Sequence, residues 1–179
     1  MNFSIFYPIL LFGSVFLCFR LLINRRGESR RKYLERFIED EHASNFARTQ
    51  PIPDEMVVTV NAGFLSEPAF VSYPAELPEH TQRTLETLRT NTLDKSSAYM
   101  VRLDKGIDNQ TLKMTYGVAN LERLIAGDDN LYKYLHGLNS YAELLIKCQM
   151  GAQARVVLEH AIHDMQSDLA KSQELLSQV

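Results

Sequence analysis

"LYKYLHGLNSYAELLIKCQMGAQARVVLEHAIHDMQS", residues 131–167, is the stretch whose reading decides the fold. Leu131, Leu135, Leu138, Tyr141, Ala142, Leu145 and Cys148 recur at the three- and four-residue spacing of one helical face. After Gly151 a second face follows, through Ala154, Val157, Leu158, Ala161, Ile162 and Met165. The pattern predicts two helices joined by a short turn, each with one side to bury. Upstream, Asp128 and Asp129 stand where carboxylates favour a helix N-terminus. A shorter helical piece, "LERLIAG", is therefore expected to start at Asn120 and end at Gly127. Downstream, Ser167 or Asp168 is placed to cap a third helix carrying Leu169, Leu175 and Leu176.

Leu138, Tyr141, Ala142 and Leu145, followed by Ala154, Leu158 and Ala161, resemble one tetratricopeptide repeat. In such a repeat two antiparallel helices interlock through small residues where they come closest. Residues 135–168 correspond to the repeat, and the helix from Leu169 corresponds to the start of the next. The sequence departs from the pattern at Leu138, where tryptophan is usual, and at Gln166, where proline is usual. Lacking a second copy upstream, a single repeat must bury its face on the preceding helices. The resemblance implies a groove lined by His136, Asn139, Glu143, Ile146 and Lys147 of the first helix, with the mixed polar and apolar character that grips a peptide.

The opposite end of the chain has a different composition. "FSIFYPILLFGSVFLCFRLLI", Phe3 to Ile23, holds one charge, Arg20, and at about 1.5 Å per helical residue it matches a bilayer's hydrocarbon core. It is read as a transmembrane anchor over residues 1–24. No basic residue precedes it, whereas Arg20, Arg25, Arg26, Arg30, Arg31, Lys32 and Arg36 follow within a few turns. The positive-inside rule then places everything after Ile23 in the cytoplasm, a single-pass protein with its N-terminus outside. These seven cations are also expected to meet the anionic membrane surface. Residues 25–48, with Tyr33, Leu34, Phe37, Ile38 and Phe46 among charges, read as an amphipathic helix continuing from the anchor.

Residues 49–80 contain Pro51, Pro53, Pro68, Pro74 and Pro78, five of the chain's six prolines, which exclude a continuous helix. This is an extended arm with "MVVTV" as its one candidate strand. Its Met56, Val57, Phe64, Leu65 and Phe70 are too apolar for a free tether, so parts of it are expected to pack along the domain surface. Residues 81–179 then form one cytoplasmic helical domain, with Leu85 and Leu88 on its first helix, "SSAYMVRL" as a short strand or bend, and Asp108 capping a helix that Gly117 ends.

Charge and chemistry narrow the function. Seven of the 19 Lys and Arg and two of the 22 Asp and Glu lie before Phe37, so the body that follows is acidic and a nucleic-acid partner is not expected. Cys18 and Cys148 form no disulfide or metal framework, in keeping with a reducing compartment. "EHAIHD" puts His160 and His163 three apart, but no third ligand accompanies them and a solvated helix face is the simpler reading. No phosphate-binding glycine motif and no nucleophile elbow occurs. No catalytic residue, metal or cofactor is assigned.

The anchor, basic stretch, proline-rich arm and the run "DNQTLKMTYGVANL" together resemble a family of short single-pass membrane proteins from Gram-positive bacteria. The resemblance implies architecture and carries no activity. The sequence as a whole reads as mainly α, with a transmembrane helix, an amphipathic helix, an extended arm and a tetratricopeptide-like hairpin in a small bundle. The expected function is a membrane-anchored adaptor binding a protein partner, with self-association open. The alternative is an accessory subunit recruited through its transmembrane helix.

Overall fold

A computed structural model describes the backbone of residues 6–179 and the side chains of residues 11, 12, 14–20 and 30–179. Helix α1, Phe6–Asn45, runs without a break from the apolar stretch through the basic one. Forty helical residues make a rod about 60 Å long. Among the described residues no helix is long and apolar enough to cross a membrane. Much of the candidate span Phe3–Ile23 lies outside them. The described apolar side chains of its first half, Leu11, Phe12, Val15, Phe16, Leu17 and Phe19, are all exposed. Tyr33, Leu34, Phe37 and Ile38 of its second half are exposed too, and its last turns meet the domain. There Ser44 is fully buried and Glu41 pairs with Lys113 of helix α4, Asn109–Tyr116.

The remainder is mainly helical and is organised on one element, α5, Val118–Lys147. This 30-residue helix passes straight through Gly127, where the sequence predicts an end. Gly127 serves a close approach instead: a Cβ there would lie 2.9 Å from Val101 Cγ2 and 3.2 Å from the Val101 nitrogen. Helix α3, Glu79–Ser96, packs on α5 at a second glycine, where a Cβ on Gly137 would lie 2.8 Å from Thr92 Oγ1. On α5's C-terminal half Leu138, Tyr141, Ala142 and Leu145 are fully buried, and so are Ala154 and Leu158 of α6, Gly151–Glu159. Ala161, also fully buried, follows α6 in a π-helical turn, His160–Asp164. Helix α7, Ala170–Leu176, closes the bundle, and no side chain caps its start, contrary to the expectation for Ser167 or Asp168.

The proline-rich arm corrects the expectation of a surface strap. Ala62, Leu65 and Phe70 are buried in the main core with Leu85, Tyr141 and Leu158. Each fully buried Leu or Phe contributes about 2 kcal/mol, far more than a surface contact would. The 3₁₀ turn Gly63–Ser66, which Ala62 precedes, and the short helix α2, Pro68–Val71, carry these side chains inward. Arg89 of α3 is itself buried and donates from Nη1 to the Leu65 carbonyl at 2.9 Å, while Nε and Nη2 bind Glu86. This hydrogen bonding holds the Glu86 carboxyl below its usual range. "MVVTV" and "SSAYMVRL" form no strand; they meet in one antiparallel bridge, Val57 with Val101. Val101, Leu112 and Leu124 make a second small core around it.

Between α4 and α5 lies Gly117, at φ +82° and ψ 155°. It ends α4 as predicted, with positive φ but an extended ψ rather than a left-handed turn. Thr49 crosses so closely that a Cβ on Gly117 would sit 2.7 Å from its Cα. Asn120, predicted as a cap, donates from Nδ2 to the carbonyls of Gln50 and Tyr116 and ties the exit of α1 to this corner.

Two measurements check this framework. Gly117→Ala, which combines a disallowed φ with a backbone clash, is expected to cost about 2 kcal/mol or more in urea unfolding of the full chain. A loss near zero would show that the corner yields. Because Glu86 titrates below its ordinary value when folded, its contribution is present above that value and is lost as pH falls through the depressed one. Glu86→Gln should therefore lower the melting temperature at neutral pH and flatten its decline between about pH 5 and pH 3.

Candidate functional site

The five residues expected to line a groove lie on the outer half of α5, but they do not form one open surface. His136 and Lys147 are exposed, Glu143 and Ile146 are partly covered, and Asn139 is buried. The cover over Asn139 is α7. The Ser172 hydroxyl donates to Asn139 Oδ1 at 2.9 Å and lies 3.3 Å from Ser167 Oγ, all within the interior. One turn further along α5, Glu143 receives Lys147 at 2.9 Å and Lys171 of α7 at 3.7 Å. The hydrogen bond from Lys147, with the charges of both lysines, holds the Glu143 carboxyl below its usual range. Ile146 packs against the main core. His136 stacks edge-on with the exposed Tyr132.

The seven cations of the candidate membrane surface divide in the same way. Arg20, Arg30, Arg31, Lys32 and Arg36 are exposed along α1. The side chains of Arg25 and Arg26 lie outside the described residues.

A second constellation overturns the reading of His160 as part of a solvated face. His160 is only 6% exposed, beneath the Phe64 ring at 4.9 Å between centroids. Its Nε2 is 3.0 Å from the hydroxyl of the fully buried Tyr134, and its Nδ1 is 2.8 Å from Asp164 Oδ2. The carboxylate accepts only, so Nδ1 carries a hydrogen toward Asp164 and Nε2 accepts from Tyr134 in the neutral ring. Burial raises the Tyr134 phenol well above its ordinary value, so it remains a neutral donor. The π turn, closed by Met165 N–H donating to the His160 carbonyl at 3.0 Å, brings Asp164 onto the ring. Beyond Asp164 opens a cleft of about 690 Å³, lined also by Asn61, Glu67, Glu159 and the exposed His163.

On the other side of the bundle, Arg102 donates to the Gln166 side chain at 2.8 Å and to the Met165 carbonyl. Lys105 pairs with Asp168 and holds that carboxyl below its usual range. Arg102 and Lys105 thus grip the segment that leads from the π turn into α7. A cleft of about 520 Å³ lies beside them. Among the described residues no group of three or more His, Cys, Asp or Glu side chains is placed to hold a metal ion. Sequence reasoning missed Tyr134, Arg102 and Ser172, because their partners are 26, 64 and 33 residues away and no local spacing reports such contacts. The i,i+4 pair of Asn139 and Glu143 was the one available signal, since it marks a single strip of α5.

No family model, curated protein or solved structure matches the chain.

Tyr134→Phe keeps the packing and removes one hydroxyl, leaving His160 Nε2 buried without its donor. A loss of about 1–3 kcal/mol in unfolding free energy is expected. The signal to follow alongside is the His160 ring in heteronuclear NMR, which should lose its single tautomer; an unchanged tautomer population would show that Asp164 alone sets it.

Proposed function

We propose that this protein is a membrane-tethered adaptor whose helical domain, on the cytoplasmic side, binds a protein partner through the outer face of α5. The observation that carries the reading is on α1. Six large apolar side chains between Leu11 and Phe19 are 59–77% exposed. An exposed apolar run of this kind marks a contact with lipid or another protein, and lipid is the reading adopted here. Exposed cations follow along the same unbroken helix, as the positive-inside rule requires of a cytoplasmic flank. In this reading Arg20 sits at the headgroups, while Arg36 stands about 20 Å beyond Ile23 along the helix axis.

The adaptor role is supported by how the chain is built beyond α1. The seven positions that resemble a tetratricopeptide repeat are all fully buried at the crossing of α5 with α6 and the π turn. Packing of this kind leaves the opposite side of the first helix to present polar groups to a peptide. His136 and Lys147 occupy that side and are exposed. Tethering concentrates the domain at the membrane, so a weak site is sufficient.

Two experiments bear on this. After extraction of membranes with high salt and carbonate, the full-length chain is expected in the pellet, with its domain open to protease only from the cytoplasmic face. Recovery in the supernatant would remove the tether. In a crosslinked pull-down from native membranes, His136→Ala with Lys147→Ala should lose a partner that the unaltered chain retains. Retention of every partner would shift recruitment to α1 and favour the accessory-subunit alternative.

A further inference from the structure

The exposed apolar surface of α1 does not end with the candidate span. Tyr33, Leu34, Phe37 and Ile38 are 49–69% exposed. At 3.6 residues per turn they share an arc of about 140°. Arg30 stands at the head of this arc and Arg31 and Arg36 at its flanks, all exposed. The same arc leads on to Glu41 and Ser44, where α1 is seated on the domain. The face that α1 turns to its own domain thus continues, uncovered, for more than two further turns. With Ile23 ending the span, Phe37 stands about 20 Å further along the axis, beyond the reach of lipid. Nor does the same strip of a second copy fit it. Two α1 helices rising from one membrane run parallel, which sets Arg30, Arg31 and Arg36 against their own counterparts.

A groove of the opposite charge lies on the domain. Between α4, α5 and the loop 102–107, a cleft of about 350 Å³ is floored by Ile107, Leu112, Ile125 and Tyr132. Asp128 and Asp129 form its lip, and no lysine or arginine lines it. The cleft of about 520 Å³ shares Leu103, Ile107, Asp128 and Tyr132 with it and adds Asp104, so the two make one groove along α5. From Ile125 to Leu135 the groove follows about 15 Å of helix, against about 13 Å for residues 30–38 of α1. The two cations at its far end are engaged, Lys105 by Asp168 and Arg102 by the Gln166 side chain. Asp129 is shared with Lys133, whereas Asp104 and Asp128 form no ion pair among the described residues. On the floor, Ile125 and Tyr132 are 41% and 52% exposed, large apolar groups that the domain leaves uncovered.

We propose that the protein forms a two-fold homodimer in which residues 30–38 of α1 in each copy seat in the groove of the other. The apolar strip meets the apolar floor, and its flanking arginines meet the aspartates of the lip. A two-fold axis along the membrane normal keeps both α1 helices in one bilayer and makes the two contacts identical. The inference goes beyond the adaptor reading, which needs only one copy, and shares with it only the assignment of α1 to a membrane.

The test is analytical ultracentrifugation of the full-length chain in detergent. A dimer is expected at low salt, with its dissociation constant raised at least about tenfold at high salt, where exposed charges are screened. Phe37→Asp should weaken it by a similar factor, and so should Arg30→Glu with Arg31→Glu, or Asp104→Lys with Asp129→Lys. All five positions are exposed, so these changes leave the domain folded. A chain carrying both charge reversals together should dimerise again, since each reversed strip then meets a reversed groove. A monomeric unaltered chain at low salt overturns the proposal, as does a dimer indifferent to the groove reversals. Crosslinking decides the matter should a variant fail to fold. With Cys18 and Cys148 replaced by alanine, a Leu34→Cys chain mixed with an Ile125→Cys chain should give a disulfide between the two. A disulfide only between two Leu34→Cys chains would put α1 on α1 and overturn the groove assignment. Monomeric behaviour would leave the pull-down through His136 and Lys147 untouched, so the adaptor reading stands or falls separately.

Discussion

Everything in the domain depends on how closely other elements can approach α5. A 30-residue helix that carries α3, α4, α6 and α7 on its sides cannot present large side chains everywhere. Gly127 and Gly137 each cost about 1 kcal/mol of helix stability relative to alanine, yet a methyl at either would collide with Val101 or Thr92. Ala142 plays the same part toward α6, together with Ala154. The intrinsic cost is outweighed because each small residue lets an entire neighbouring element pack. Val101, brought in over Gly127, is part of the second core and bridges to Val57 of the arm, flanked by Val58 N–H donating to the Met100 carbonyl and Arg102 N–H donating to the Met56 carbonyl.

The arm is the second consequence. A bundle of this size with one isolated hairpin would leave an apolar face uncovered, and Leu65 and Phe70 fill it from a segment too rich in proline to be helical. Such a segment has backbone carbonyls that no helix or sheet satisfies. Arg89 answers this for Leu65, and the Tyr141 hydroxyl points at the Phe70 carbonyl at 3.5 Å. A buried guanidinium is tolerable because Glu86 completes its hydrogen bonding. The proline-rich region is thus part of the core and not a linker, which fixes the distance between α1 and the bundle.

An unbroken α1 seated on α4 through Ser44 and the Glu41–Lys113 pair, and an exit locked by Asn120, give the domain one attitude relative to the helix that carries it.

The amino-acid sequence by itself determined the helical class, the apolar faces of α5 and α6, the break at Gly117 and the change from an apolar, basic start to an acidic body. These are legible because they are written in local spacing and composition: three- and four-residue periodicity, proline density and charge counts. Tertiary structure alone decided that Gly127 continues a helix, that the arm enters the core, that His160 is buried between Tyr134 and Asp164, and that Asn139 of α5 is bound by Ser172 of α7. A glycine reads the same in sequence whether it ends a helix or admits a neighbour, and a histidine or asparagine reads the same whether hydrated or paired. The partner that settles the matter lies tens of residues away, and only the fold brings it within hydrogen-bonding distance.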